Sequence, residues 1–374
     1  MSARDGLTSA IAERGVIVCT GAGGVGKTTV AAGIGLLAAA QGRRTAVLTI
    51  DPAQRLAQAM GMDSLTGEAR SVEGIEGLDA MMLDMRRTFD EVIDRHAPDQ
   101  RRAEEIKANR FYRQLSDSLS GTQEYMAMEK LHELHTAGHY DCIVIDTPPT
   151  RSALDFLDAP RRMTDFMEGR FLKMFVGPGV AAGRLATRAV GFGTGLVMRA
   201  ASRITGAAVL HDIGEFFQAF DGMYEGFKER AQSVHALLQS PESAFAVIAS
   251  PDPPALREAR FFVERLAEER MRTAAIVVNR MTPAAGPSQR IDVAAAVAVA
   301  AQLETGGPEG RAAAGLLRLH ADRTQTARRE RAAVDRALGD LDPELIQVPL
   351  LPGGATDLDG LRSVAAALAA GDAW

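Results

Sequence analysis

The sequence predicts an α/β fold, in which a doubly wound, mostly parallel sheet is covered by helices and carries a mainly helical insertion. Short runs rich in β-branched residues alternate with longer helical patterns along the chain, which is typical of right-handed βαβ units. These runs are apolar at almost every position, as strands buried on both faces are. A glycine-rich segment joins the first run directly to a helical pattern.

Six runs are predicted as strands of this sheet, and a seventh is a weaker candidate. In chain order the six are Gly15–Thr20, Ala46–Ile50, Asp141–Ile145, Ala244–Ala249, Ala274–Val278 and Ile346–Pro349, and the weaker one is Leu78–Leu83. Residues 88–138 and 152–240 do not follow the same rhythm, because they contain few strand signals. We therefore predict a single domain over residues 1–374 whose helical insertion is formed by these two stretches.

Composition and charge restrict the class of protein. Of the 374 residues, 46% are hydrophobic and 24% are charged, the usual mixture for a protein with a large buried core. The formal net charge is -6, which argues against a nucleic-acid binder that neutralises phosphates over a wide face.

The cysteines and the apolar stretches bear on the compartment. Cys19 and Cys142 lie far apart inside apolar runs, so they predict neither a disulfide framework nor a zinc site and indicate a reducing cytosol. The longest apolar stretches, Thr29–Ala40 and Val293–Ala301, are shorter than the ~20 residues that a spanning helix needs. We therefore expect a cytoplasmic protein without an integral membrane segment.

The segment from Gly21 to Thr28 matches the pattern G-x-x-x-x-G-K-[ST] at every fixed position. Glycines let successive backbone N–H groups converge on phosphate oxygens, Lys27 offers a positive charge to the β- and γ-phosphates, and the Thr28 hydroxyl is a hard ligand for Mg²⁺. A predicted strand precedes the pattern and a predicted helix follows it, so the N-terminus of that helix also favours an anion. The chain is therefore predicted to bind Mg·ATP. The predicted nucleotide-binding residues of this segment are Gly21, Ala22, Gly23, Gly24, Val25, Gly26, Lys27, Thr28 and Thr29.

Two aspartates end predicted strands near this loop. Asp51 either orients the attacking water or caps the helix that begins near Pro52, and the spacing leaves both roles open. Asp146 is either the usual strand-end partner of Mg²⁺ beside a P-loop or an ordinary turn residue. Thr28 and Asp146 are thus the predicted metal-site residues, and Lys27 and Asp51 are the predicted catalytic residues.

With these residues in place, the chain resembles the arsenite-pump and tail-anchored-protein-targeting ATPases, the ArsA-type branch of the deviant Walker A class of P-loop NTPases. Thr49–Ala53 looks like the switch I of this family and Asp146–Thr150 looks like its switch II. The resemblance extends over essentially the whole chain. It implies Mg²⁺-dependent ATP hydrolysis, with Asp51 as the base that orients water.

The resemblance also implies contacts with adenine. Asn279 looks like the adenine-reading asparagine of the family, and Pro349 and Pro352 look like its C-terminal loop that packs on the base. From the residues alone, Asn279 is a turn residue at the end of a strand.

The P-loop departs from the family pattern at Ala22, where the family usually carries a second lysine. In related dimers that lysine acts on the nucleotide of the other subunit, by the logic of an arginine finger. Some actinobacterial members look like paired paralogues, one with and one without it. We therefore expect a dimer, and we favour a heterodimer with a paralogue that carries the trans lysine. A homodimer in which Arg55, Arg151 or another nearby cation substitutes stays open.

Other departures concern the switches and the effector. Gln54–Arg55 and Arg151–Ala153 stand where the family usually has His-Asn and Gly-His-Thr, so the coupling between hydrolysis and the insertion is expected to differ. The cysteines that bind arsenite in the pump ATPases are absent. Arsenite is therefore not expected as an effector, because it needs soft thiolate ligands.

The insertion contains methionine and aromatic residues at roughly helical spacing. They form either a groove for a hydrophobic helix of a client or the core of the insertion itself. These residues are Met163, Met167, Phe171, Met174, Phe216, Phe220, Tyr224 and Phe227. The glycine-rich segment Val176–Gly195 is either a mobile lid or an ordinary loop.

The leading functional prediction is an ATPase in which dimer closure on Mg·ATP moves a helical client- or partner-binding subdomain. The alternative is a nucleotide-binding regulatory subunit of a heterodimer with little hydrolysis of its own. A client or partner would also bring this otherwise cytoplasmic protein to the periphery of a membrane. No nucleic-acid partner is expected.

Overall fold

The computed structural model describes residues 6–50, 55–110, 112–113, 122–148, 223–283 and 292–371. The chain divides into two compact units. The first consists of Met1–Met82, Gly138–Ala153 and Leu238–Trp374, and the second of Leu83–Ala137 and Leu154–Leu237. The boundaries of the insertion, placed by the sequence at residues 88–138 and 152–240, stay a prediction.

The first unit is built on an eight-stranded sheet with the order β3-β4-β2-β5-β1-β6-β7-β8. The strands are β1 (Val16–Gly21), β2 (Thr45–Thr49), β3 (Arg70–Ser71), β4 (Leu78–Met82), β5 (Cys142–Asp146), β6 (Ser243–Ala249), β7 (Thr273–Met281) and β8 (Glu344–Pro349). All neighbouring pairs are parallel except β3–β4, which is antiparallel. The predicted α/β fold with a mostly parallel sheet is confirmed.

The helices are numbered here in chain order over the described residues. They are α1 (Leu7–Glu13), α2 (Lys27–Ala40), α3 (Arg55–Ala59), α4 (Met85–His96), α5 (Gln100–Ala108), α6 (Thr122–Ala137), α7 (Tyr224–Gln239), α8 (Pro253–Glu268), α9 (Val293–Leu303), α10 (Gly307–Leu338) and α11 (Leu358–Ala370). None of these described helices has the length and hydropathy that crossing a membrane requires.

The central strands are buried along their whole length, which explains their continuous apolar sequences. Every residue of β1, β2, β5 and β6 is buried. One core cluster joins these strands to α2 and α11, and it includes Ile17, Val144 and Ile248 from the sheet and Ile34 and Leu368 from the helices. The carboxyl ends of the parallel strands β5, β1, β6 and β7 therefore lie in that order along one edge of the sheet.

The described part of the second unit is helical. Asp84 and Asp99 cap α4 and α5, because their carboxylates accept hydrogen bonds from the backbone N–H groups of Arg87 and Arg102.

A buried polar pair links α6 and α7 inside the second unit. Glu129 accepts two hydrogen bonds from Nε of Arg230, at 3.0 and 2.9 Å, and the guanidinium of Arg230 lies 4.9 Å from the ring centroid of Phe227. The ring of Tyr125 stacks on Phe227 at 5.7 Å. Phe227 is buried, so this member of the predicted methionine and aromatic set belongs to the core.

The other methionine and phenylalanine members of that set lie outside the described residues, as does Val176–Gly195. Tyr224 is placed at the start of α7. Whether these residues form a client groove therefore stays a prediction.

Candidate functional site

The glycine-rich loop lies between the end of β1 at Gly21 and the start of α2 at Lys27. Gly21 has a φ of 151°, and a Cβ there would lie 2.0 Å from the carbonyl oxygen of Ile248 in the neighbouring strand. Gly26 has a φ of 96°, and a Cβ there would lie 2.2 Å from Nδ2 of Asn279. Glycine is therefore required at both positions, by backbone conformation and by space.

The side chain of Lys27 is held inside this loop. It is 6% exposed, and its Nζ donates hydrogen bonds to the carbonyl oxygens of Gly21 and Ala22, both at 2.9 Å. The ammonium group therefore stands beside the N-terminus of α2, where the helix dipole also favours an anion.

Thr28 and Asp146, the two predicted metal-site residues, are in direct contact. Oγ1 of Thr28 donates a hydrogen bond to Oδ2 of Asp146 at 2.7 Å, and Oγ1 of Thr49 donates to the same oxygen at 2.9 Å. The Asp146 residue is fully buried. Its position follows from the sheet, because in the registers of the parallel pairs β1–β5 and β2–β5 Asp146 is opposite Cys19 and Thr49.

This arrangement fits Mg²⁺. The ion takes hard oxygen ligands, keeps several waters, and is usually held by one or two protein groups together with substrate phosphates. A hydroxyl and a carboxylate meet here at the carboxyl edge of a parallel sheet, next to Lys27. Among the described residues no cluster of three or more His, Cys, Asp or Glu side chains forms a cage of protein ligands.

The opposite flank of the loop is fastened by two consecutive residues at the end of β7. Nδ2 of Asn279 donates to the carbonyl oxygen of Val25 at 2.9 Å, and Nη1 of Arg280 donates to the carbonyl oxygen of Gly24 at 2.9 Å. Oδ1 of Asn279 also accepts a hydrogen bond from the backbone N–H of Arg280. We call Asn279 and Arg280 the β7 clamp.

The buried position of Asn279, which is 6% exposed, gives it a role that the sequence did not predict. Its amide holds the loop, and its predicted contact with adenine stays a prediction. Arg280 was not predicted as a site residue. Arg280 reaches the P-loop through a contact with Gly24, which lies 256 positions away in the sequence. Its place directly after Asn279 was nevertheless a usable signal that it belongs to the site.

A cavity of about 320 Å³ opens between these groups. The predicted residues among those that line it are Gly24, Gly26, Lys27, Thr28 and Thr29, and the additional ones are Gln58, Ala59, Thr147, Arg280, Gly354, Ala355 and Thr356. The C-terminal loop thus reaches the cavity through residues 354–356. Pro349 ends β8 and Pro352 is exposed, and their packing on the base stays a prediction.

Ala22, Gly23 and Val25 complete the loop. Gly23 is exposed, whereas Ala22 is 9% exposed and Val25 is 2% exposed, and both of these side chains belong to the core cluster of the first unit. The position where the family usually has a lysine is therefore filled by a buried methyl group.

Asp51 lies outside the described residues, as do Gln54 and Arg151, and Arg55 is placed only as the start of α3. The described strand β2 ends two residues before Asp51, at Thr49, whose hydroxyl contacts Asp146. The assignment of Asp51 as the catalytic base therefore stays a prediction.

Neither cysteine ionises easily to a thiolate. Cys19 and Cys142 are free and buried. Burial raises the pKa of the Cys19 thiol well above its usual value, and the negative charge of Asp146 raises this pKa further. Burial also raises the pKa of Cys142, to about 11. Both residues therefore remain neutral packing groups near neutral pH.

Comparison with known proteins adds a family to this geometry. The model of the anion-transporting ATPase family matches residues 14–294 of the chain. A protein of Aquifex aeolicus whose name describes it as an arsenical pump-driving ATPase is 24% identical over 72% of this chain and 63% of its own length. The ATPase GET3 of Malassezia globosa is 31% identical over 38% of this chain and 42% of its own length.

A third relative carries no functional name. An uncharacterized protein of Streptomyces coelicolor is 29% identical over 73% of this chain and 64% of its own length. The matched stretch therefore covers less than two thirds of each of these three relatives.

Proposed function

Because this chain belongs to the anion-transporting ATPase family, we propose that it binds Mg·ATP in the P-loop cavity and hydrolyses the β–γ phosphate bond. The observation that carries the proposal is the contact between Thr28 and Asp146 beside the buried ammonium group of Lys27. A chance match to the P-loop pattern would not bring these two side chains, 118 residues apart, to within 2.7 Å.

The residues of the cavity have separate roles in this proposal. Lys27 neutralises the β- and γ-phosphates, by exchanging the loop carbonyls that it now contacts for phosphate oxygens. Thr28 and Asp146 would hold Mg²⁺, which would offset the negative charge that develops on the transferred phosphoryl group. Thr49 fixes the carboxylate of Asp146 through its hydrogen bond. Asp51 would orient the attacking water.

The buried methyl group of Ala22 supports a heterodimer in this proposal. Hydrolysis in related dimers uses a cation supplied in trans, and a homodimer of this chain would lack it in both sites. A cation supplied in trans as an arginine finger contributes about 10³–10⁵ in turnover rate. A paralogue that retains the lysine would restore the charge at one site.

We further propose that ATP binding and hydrolysis move the helical unit, and that this unit contacts a hydrophobic helix of a client or a partner protein. The name of the GET3 relative describes an ATPase, and the client is our inference from the family resemblance. Arsenite is not proposed as an effector, because Cys19 and Cys142 are both buried neutral thiols.

The first experiment is steady-state ATP turnover by the purified chain with Mg²⁺, beside the Lys27→Ala variant. If the chain hydrolyses ATP without a partner, its turnover should be clearly above that of Lys27→Ala. Omission of Mg²⁺ in the presence of EDTA should reduce this turnover to the level of the variant. Equal turnover with and without Lys27, in protein that also fails to bind ATP, would contradict the proposal.

A second experiment addresses the missing lysine. We expect Ala22→Lys to raise turnover at least about tenfold, since the added charge would act across the dimer. Ala22→Met has an apolar side chain of similar reach and serves as the matched control for the volume added at this buried position. An equal effect of both variants would contradict a trans role for this charge.

The alternative function is a nucleotide-binding regulatory subunit. Ala22 is the observation that favours it, because the Lys27, Thr28 and Asp146 constellation supports binding and does not by itself supply the trans cation. ATP binding that depends on Lys27, together with turnover equal to that of Lys27→Ala, would support this alternative.

A further inference from the structure

Arg280 adopts a backbone conformation that arginine rarely takes. Its φ is 64°, in the left-handed region that favours glycine and asparagine. The hydrogen bond from its N–H to Oδ1 of Asn279 and the contact of its guanidinium with the Gly24 carbonyl hold it there. A non-glycine residue kept in such a conformation beside a cavity suggests a functional use of its side chain.

The guanidinium of Arg280 is exposed and lines the nucleotide cavity. One of its five N–H donors is bonded to the loop. Within the described part of the chain no carboxylate forms an ion pair with it. A planar cation is therefore fastened at one edge and presented at the wall of the cavity.

The order of the strands shows which end of the nucleotide this wall faces. Asp146 ends β5 on one side of β1, whereas Arg280 lies in β7, on the other side of β1 and two strands away. In the proposed function the metal and the terminal phosphate would lie at Thr28 and Asp146, which are in contact. A nucleotide whose phosphates lie on the P-loop therefore directs its nucleoside toward β7.

We propose that the guanidinium of Arg280 stacks on the face of the nucleobase and forms the nucleoside wall of the site. This inference rests on the proposed function, because it requires a nucleotide in the cavity. Guanidinium groups stack readily on aromatic rings, and the bond to Gly24 holds one nitrogen of the group at the P-loop. Stacking is tolerant of base identity, so Arg280 would contribute to affinity for both purine nucleotides.

The position of Arg280 also separates it from the missing lysine. Because β7 and β5 lie on opposite sides of β1, we do not expect Arg280 to replace the charge that Ala22 lacks. Its loss should weaken binding without removing a contact made only during hydrolysis.

The test measures binding of ATP, GTP and inorganic tripolyphosphate by isothermal titration calorimetry with Mg²⁺. Arg280→Asn removes the guanidinium and keeps a residue that tolerates the left-handed conformation. Arg270→Asn is the matched control, because Arg270 is the other described non-glycine residue with positive φ, at 58°, and lies outside the cavity lining. A thermal melt of each variant confirms that it is folded.

We expect Arg280→Asn to weaken ATP and GTP about three- to tenfold, the range of a stacked cation, and to change tripolyphosphate affinity less than twofold. Arg280→Lys should recover only part of this loss, since lysine keeps the charge and lacks the planar face. Arg270→Asn should bind all three ligands as the unchanged chain does.

Three results would overturn the inference. They are unchanged ATP affinity in Arg280→Asn, equal weakening of ATP and tripolyphosphate, and full recovery by Arg280→Lys. The second would assign Arg280 to the phosphates or to loop structure, and the third would assign it to charge alone. ATP binding by the unchanged chain no tighter than by Lys27→Ala would instead refute the proposed function, and this inference with it.

Discussion

Replacing Asn279 by aspartate exchanges one nitrogen for oxygen at the point where β7 fastens the P-loop. In the structure Nδ2 of this residue donates to the carbonyl of Val25 at 2.9 Å. In Asn279→Asp, a carboxylate oxygen would face that carbonyl oxygen instead. The other oxygen still accepts from the N–H of Arg280, so the substitution removes one half of the clamp and keeps the size of the side chain.

The magnitude follows from burial. Asn279 is 6% exposed, and leaving a buried polar group without its partner costs about 1–3 kcal/mol, more when the group is charged. A loss of about 2 kcal/mol corresponds to a fall in Tm of about 4–8 °C for a unit of this size class. Protonation of the new carboxyl group restores a donor toward Val25, so the fall in Tm should be smaller at pH 5 than at pH 8.

The assay is thermal unfolding without nucleotide, followed by calorimetric measurement of ATP affinity. A Tm of Asn279→Asp within about 1 °C of the Tm of the unchanged chain would refute the assignment of the Asn279 amide as a structural bond of the P-loop.

Three further predictions use matched pairs of variants and thermal unfolding. Gly21→Ala should destabilise the chain by more than about 3 kcal/mol, because the added Cβ meets the backbone of β6. Gly42 has a φ of 80° and open space around it. Gly42→Ala should therefore cost only the conformational penalty of about 1–2 kcal/mol. Glu129→Ala should cost about 3–5 kcal/mol, because it removes the buried carboxylate that accepts hydrogen bonds from Arg230 and Tyr125. Glu105→Ala on an exposed pair should cost less than about 1 kcal/mol. Equal losses within either pair of variants would contradict the packing described. Burial, and then neighbouring positive charge, lower the pKa of His96 from 6.5 to about 4. Between these two pH values the unfolded chain therefore binds more protons than the folded chain. Stability should fall as pH decreases through this window. His96→Gln should flatten this dependence, and an unchanged pH profile would show that another group causes it.

The sheet was predictable because its central strands carry the whole burial signal in their own sequences. All seven predicted strands are present. For the fully buried strands β1, β2, β5 and β6 this follows because continuous apolar runs are the local signature of strands covered on both faces. The strand β3 was missed because its two residues, Arg70 and Ser71, are exposed. A short antiparallel edge strand is determined by the neighbour with which it pairs, and that neighbour is not encoded in two polar residues.

The candidate site divides in the same way. Lys27, Thr28 and Asp146 were predicted because each occupies a fixed place relative to a strand end, and a parallel sheet brings such ends to one edge. Asn279 was predicted as a contact of adenine, but the role of Asn279 and Arg280 in holding the P-loop was not. That role depends on the left-handed conformation of Arg280 and on the position of β7 two strands from β1, and both are properties of the assembled sheet.

The two flanks of the P-loop are built by different kinds of contact, and this bears on how binding and hydrolysis are divided. The clamp fastens the loop through its carbonyls at Gly24 and Val25, while Thr28 and Asp146 bring a hydroxyl and a carboxylate together where the proposed Mg²⁺ would be held. Under the proposed function both arrangements would serve the placement of phosphates, and both are present within this one chain. Hydrolysis additionally requires a positioned water and, in related dimers, a charge from the partner, which a buried methyl group at position 22 does not supply. Nucleotide affinity and turnover should therefore respond to different residues, and turnover is the quantity that separates a self-sufficient ATPase from one half of a paired enzyme.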